Sequence, residues 1–172
     1  MAARHPAALV SSWGSNEELA AFHAAFGTRF TCHVKADHLP QPGERLEDEL
    51  LIKPDKNPNR RAATALYPPL PDAPDAAFPA GCDLVLVWGE GCDFDALPPT
   101  ARVVHLDAWR HPAGARADVF LPISVQTERS GHYTNFAGVV SRFEACFDKP
   151  ATVADAEALF AALAVPVRVE AS

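Results

Sequence analysis

The sequence has no CxxC pair, no long apolar run and fewer basic than acidic residues, and each shortage closes a class of function. Its four cysteines, Cys32, Cys82, Cys92 and Cys146, are widely scattered, whereas zinc and iron–sulfur sites call for closely spaced thiolates. No self-contained metal site is expected. No apolar stretch nears the ~18–20 residues of a membrane-spanning helix, and mean hydropathy is -0.05. The 15 Lys and Arg against 22 Asp and Glu leave a net charge of -7, the wrong sign for a nucleic-acid surface. The opening residues lead only into a short apolar stretch, Ala7–Val10, too brief for a signal-peptide core. Reduced thiols in the cytoplasm are the expectation that follows.

What is present suits one globular domain: 172 residues, 48% hydrophobic and 22% charged. Ala7–Trp13 has the apolar content of a buried strand. Gly14-Ser15-Asn16 supplies a turn and helix cap, and Glu17 and Glu18 favour a helix start. Leu19, Phe22, His23 and Phe26 recur at helical spacing up to Gly27, and Phe30, Cys32 and Val34 alternate as a half-buried strand would. The start therefore reads as βαβ. In the second half, Cys82–Trp88, Arg102–Leu106 and Val119–Leu121 are near-continuous apolar strands. Such strands are buried on both faces, which predicts an α/β fold, three-layered with a mostly parallel sheet. The connections are too short for a full helix after each strand. Thr152 is expected to cap a last helix carrying Leu159, Phe160 and Leu163, with Asp155 in its first turn, and Val165–Val169 is a candidate closing strand.

Between the halves, residues 39–79 carry prolines at 40, 42, 54, 58, 68, 69, 71, 74 and 79. Regular helices do not run through such a series, and only Glu49–Lys53 looks strand-like. The segment is either an ordered excursion over a partner surface or a linker within one domain spanning 1–172.

Candidate chemistry is sparse. None of the seven histidines has a partner at telling spacing; Cys32 and His33 point to opposite faces of a strand, and His23 reads as a satisfied core histidine. Ser124, Ser130 and Ser141 lack a nucleophile-elbow context. Gly89 and Glu90, within Trp88-Gly89-Glu90-Gly91, follow a buried strand at the sheet edge where α/β proteins bind ligands. They form either a ligand turn or a plain strand-ending turn. Asp107 ends the next strand, as a ribose-binding carboxylate or a turn aspartate. The densest polar run, Thr127 to Gly138, holds Glu128, Gly131, Thr134 and Asn135 and is either a ligand rim or a self-bonded turn.

This last region carries a resemblance. Ala117-Asp118-Val119-Phe120-Leu121-Pro122, followed by Thr127 to Asn135, resembles a signature of molybdopterin oxidoreductases, A-D-V-V-L-P and then E-K-D-G-T-F-T-N-x-E-G-R. Asp83–Glu90 and Ala96 to Val104 fit the same domain. Ser15 to Leu19 and Leu50 to Asn59 look like the large iron–sulfur subunit of complex I, the NADH-quinone oxidoreductase. The likeness spans about 8–165. It implies the middle α/β domain of that fold, with Gly89, Glu90, Asp107, Glu128, Gly131, Thr134 and Asn135 as a cofactor-cleft rim. The departures matter as much. The paired cysteines and the C-terminal domain of the family are missing, and its E-G-R is Ala137-Gly138-Val139 here. The resemblance thus implies an accessory or structural subunit of a NADH dehydrogenase-like or hydrogenase-like complex, not catalytic alone and binding no cofactor alone. Its partners would be iron–sulfur and flavin subunits, and any attachment to the inner membrane face would run through them. Two alternatives are a piece of a split molybdopterin-dependent oxidoreductase, with Asp107, Thr134 and Asn135 lining the shared cleft, and a free-standing nucleotide-binding module.

Overall fold

The computed structural model describes residues 3–36, 43–45, 47–49 and 56–164. Five parallel strands form one sheet: β1 (Pro6–Val10), β2 (Thr31–Val34), β3 (Leu84–Trp88), β4 (Arg102–Asp107) and β5 (Val119–Pro122), in the order β2-β1-β3-β4-β5. An antiparallel hairpin of β6 (Gly131–Thr134) and β7 (Val140–Phe143) stands apart from it. The expected α/β architecture with a mostly parallel sheet is what the chain adopts. Of the strand reading at Glu49–Lys53, residues 50–53 lie outside the described residues, as does the reading at Val165–Val169.

The helix α1 (Asn16–Phe26) begins where the sequence places it, and for a stronger reason than its acidic first turn. Ser15 and Glu18 form a capping box: the Ser15 side chain accepts from the Glu18 N–H at 3.1 Å, and Glu18 accepts from the Ser15 N–H at 2.8 Å. Gly27 closes the helix by donating to the His23 carbonyl. His23 itself is exposed, not in the core, and its Nδ1 meets the Tyr67 hydroxyl at 3.0 Å. The final helix, α3 (Ala156–Ala164), starts later than Thr152 and Asp155 predict, leaving Asp155 just ahead of it. Phe160 is fully buried, while Leu163 faces solvent.

Within the proline-rich segment, the interval between Pro58 and Pro68 leaves room for a seven-residue helix, α2 (Arg60–Leu66). Residues 56–79 are therefore an ordered excursion. Asn59, just ahead of α2, is completely buried. Its side chain donates to the Gly14 carbonyl at 2.7 Å and to Asn16 Oδ1 at 3.0 Å, and it accepts from the Thr134 N–H at 2.7 Å. Each of these bonds offsets the desolvation of a buried amide.

The two sheet faces are covered unequally. On one, Ala8, Val10, Leu86, Trp88 and Leu106 pack under α1, α2 and α3. There Phe22 lies 5.0 Å from Phe26, 5.5 Å from Trp88 and 5.1 Å from Phe160, ring centre to ring centre. On the other, Ala7, Leu9, Val85, Val87 and Val103 are roofed by Phe94, Leu97 and Ala101 from short 3-10 turns and loops. This matches the short connections between these strands.

Because Phe22 has no exposed surface and touches four aromatic rings, Phe22→Ala should lower unfolding stability by about 3–5 kcal/mol. A urea titration reads this directly; a loss below about 1 kcal/mol would contradict this packing.

Candidate functional site

The order β2-β1-β3-β4-β5 reverses direction between β1 and β3. The crossover from β1 runs through α1 on one face, and that from β3 runs through a 3-10 turn on the other. A crevice must open where neighbouring connections diverge, at the carboxyl ends of the strands. It does: a cleft of about 340 Å³ is lined by Ser11 and Trp13 after β1, Gly89 and Glu90 after β3, Asp107 and Trp109 at the end of β4, and Ser124 after β5.

Gly89 has φ +77°, a backbone conformation that L side chains rarely adopt. The turn it makes lets the Glu90 carbonyl accept a hydrogen bond from the ammonium of Lys35, a buried residue just past β2. The Glu90 carboxylate faces outward, 3.7 Å from His111 Nε2. Asp107 is buried; its Oδ1 accepts from the Ala108 N–H at 2.6 Å, and its Oδ2 lies 3.4 Å from the buried His105 Nε2. Three of the seven residues expected at the rim, Gly89, Glu90 and Asp107, thus meet in one place.

The other four do not line this cleft. Glu128 accepts from the Val125 N–H at 3.2 Å and borders a neighbouring, largely acidic groove with Asp155 and Glu157. Gly131 sits so close to α1 that a Cβ there would lie 2.8 Å from the Ser15 Cβ. Thr134 binds Asn59 and Asn16. Asn135 turns back on the hairpin, accepting from Ala137 and Val139 N–H groups at 3.0 Å. The polar run from 127 to 138 thus divides: Thr127 and Arg129 line the cleft, and from Gly131 on it is the first strand and turn of the hairpin, tied to α1 and Asn59 through His132 and Thr134. Its alternation was hidden by two glycines and short strands, four residues each.

The residue that composition gave no reason to single out is Arg129. Its guanidinium is almost fully buried, 3.3 Å from Glu18 Oε1, and it donates to the Ser124 carbonyl at 2.6 Å and the Trp13 carbonyl at 2.9 Å. Burial pushes the Glu18 carboxyl up from its ordinary range, against the pull of Arg129. Trp13 was expected as the last residue of a strand Ala7–Trp13, whereas β1 ends at Val10 and the chain turns towards α1 from there; its place in the cleft depends on strand order, which no local pattern encodes. Burial raises the Cys32 thiol to about 12 and that of Cys92 to about 11, and pushes Cys82 up as well, which disfavours the thiolate at these three positions; Cys146 is exposed. Among the described residues, no three His, Cys, Asp or Glu side chains converge as a metal site, and no helix is long and apolar enough to cross a membrane.

The buried pair and the hairpin contact each give an expected outcome. Arg129→Ala should destabilise the fold by about 3–5 kcal/mol, because it strands a buried carboxylate. Adding Glu18→Gln should recover part of that loss, and strict additivity in denaturant titrations would contradict the pairing. The hairpin contact concerns Glu17. Burial works against its charge, but hydrogen bonds from the His132 ring, at 2.6 Å, and the His132 N–H, at 3.0 Å, outweigh it and hold the carboxyl below its ordinary 4.5. A lowered acid contributes stability that is whole above the unfolded value and lost as pH falls through the folded one. The protection factors of the Thr134 and His132 amides, taken relative to the intrinsic exchange rate at each pH, should therefore fall below about pH 4.5, and Glu17→Gln should remove that part of the acid response. No protein-family model and no curated protein matches the sequence significantly.

Proposed function

We propose that the chain is an accessory, structural component of a NADH dehydrogenase-like or hydrogenase-like redox complex, docking an iron–sulfur partner through the β6–β7 hairpin. The observation that carries this reading is the apolar surface there. Phe136, Val139, Val140 and Phe147 are 81%, 56%, 57% and 69% exposed. Scattered surface hydrophobes need no explanation, but four large ones within a single hairpin and its exit mark an interaction surface. The hairpin is also held rigid from behind, since Arg61 of α2 donates to the Phe136 carbonyl at 2.9 Å. A fixed apolar surface docks at low entropic cost. The sequence supports the partner class: the likeness to molybdopterin oxidoreductases of the complex I type is most specific at 117–138, which includes β6 and the turn bearing Phe136.

The expected docking surface, the proline-rich segment 39–79, is joined to this one by the Arg61 contact, so α2 would form part of the same face. The test is a pull-down of the tagged chain with iron and flavin assayed in the eluate. Both should accompany the wild-type chain and fall at least about tenfold with Phe136→Ser/Val139→Ser, a loss of about 1.4 kcal/mol or more in binding. The double variant should keep its folding stability within about 0.5 kcal/mol per site, because both side chains are exposed. Equal iron and flavin with the variant would defeat the reading.

A further inference from the structure

The β6–β7 hairpin has two outer edges, and only one of them is covered. In an antiparallel pair, residues alternate between those that bond across the pair and those whose main-chain groups point away. His132 and Thr134 point away from β7, since their N–H groups donate to Glu17 at 3.0 Å and to Asn59 at 2.7 Å. The residues opposite them are Arg142 and Val140, so the N–H and C=O groups of these two point away from β6. The Asn135 N–H donates to the Val139 carbonyl, which continues the same alternation. On the β6 side, α1 and Asn59 take the outward groups. Among the described residues β7 pairs with β6 alone, and Val140, Ser141 and Arg142 are exposed. Such an edge is a template for a further strand. Nothing in its shape blunts it: the register runs without a bulge, and no proline stands between Gly131 and Lys149.

The charges on this edge decide which strand fits it. Arg142 and Glu144 lie 2.7 Å apart with their side chains 68% and 61% exposed, and Glu144 is steadied by the Ser130 hydroxyl at 2.9 Å. Glu144 is the next residue after Arg142 in the outward alternation. A second copy of β7 running antiparallel can therefore set Arg142 opposite the copy's Glu144, and two-fold symmetry then repeats the pair. Opposite charges directly across two strands stabilise the join, whereas a register with Arg142 facing its own copy does not. The same two-fold brings Phe143, stacked on Tyr133 with ring centres 4.4 Å apart, opposite the copy's Phe143. We propose that two copies of this chain join β7 to β7, antiparallel, into one four-stranded sheet with reciprocal Arg142–Glu144 pairs across the join. Each hairpin has one open edge, so this pairing closes at two copies. The inference goes beyond iron–sulfur docking and does not rest on it. It uses the main chain of β7, whereas that docking is tested at Phe136 and Val139.

The test is sedimentation equilibrium on the full chain in low salt, where charge pairs are least screened. A species of twice 18.5 kDa is expected, with a dimer Kd of about 100 μM or tighter. Val140→Pro removes one outward N–H and no bond of the hairpin ladder, so it should raise that Kd at least about tenfold. Arg142→Glu sets carboxylates face to face at both ends of the join and should raise it about as much. Arg142→Glu/Glu144→Arg exchanges the signs and should bring the Kd back to within about threefold of the unchanged chain. Should Val140→Pro disturb the hairpin itself, the charge exchange still decides, because both side chains are exposed. A monomer at about 500 μM or association that continues past two copies would overturn the proposal. So would a dimer indifferent to Val140→Pro or Arg142→Glu, or one that the charge exchange does not restore.

Discussion

One buried guanidinium organises the functional edge of this molecule. Arg129 joins the turn after β1, the capping box of α1 and the end of β5, three places far apart in sequence. A buried ion pair adds little net stability once both groups have left water, so its effect is positional. The guanidinium offsets part of the desolvation that the Glu18 carboxylate meets in capping its helix from a buried position. Asn59 acts as the uncharged counterpart, tying the same turn to β6 through amide hydrogen bonds. Between them, these two side chains fix where the β1–α1 turn, the strand ends and the hairpin stand relative to one another.

The division of labour at that edge follows from this bracing. The Thr134 hydroxyl and His132 ring meet Asn16 and Glu17, and the His132 and Thr134 backbone N–H groups donate to Glu17 and Asn59, while the apolar residues of the hairpin lie outside. The cleft, by contrast, draws on the strand ends and on the loop beyond β5 that carries Thr127 and Arg129. Strand order places it, and the identity of the residues just past each strand gives it character: serine and tryptophan after β1, glycine and glutamate after β3, aspartate at the end of β4. Carboxylates predominate over uncommitted cations there, in keeping with a chain of net charge -7.

The sheet was legible in the sequence because parallel strands buried on both faces leave nearly continuous apolar runs, unbroken in Leu84–Trp88 and interrupted only by His105 between Val103 and Leu106. So was α1, whose cap and closing glycine bracket a helical repeat. The hairpin was not, because four-residue strands with a glycine at the start give too few alternations to distinguish them from a polar loop. Nor was α2, since a proline rule that forbids long helices says nothing of a short one between two prolines. At the site, Gly89, Glu90 and Asp107 were found by the rule that ligands gather at strand ends. Arg129 was not, because burial of a cation is a tertiary fact. The same limit misplaced Thr134 and Asn135: a polar residue near a cleft in sequence becomes a brace when its backbone faces another element.

The first strand of the sheet to leave the ribosome, β1, is an interior one. Its neighbour β2 follows closely, but its other neighbour, β3, is delayed by the long proline-rich excursion, since the register pairs Pro6 with Leu84 and Leu9 with Val87. Until β3 emerges, an apolar strand destined to be covered on both sides has an open edge able to pair with any extended chain nearby. The excursion that braces the finished protein through Asn59 thus lengthens the interval in which the nascent chain is most prone to aggregate. Polypeptide synthesis rate and chaperone capture then become determinants of yield that the stability of the completed domain does not govern.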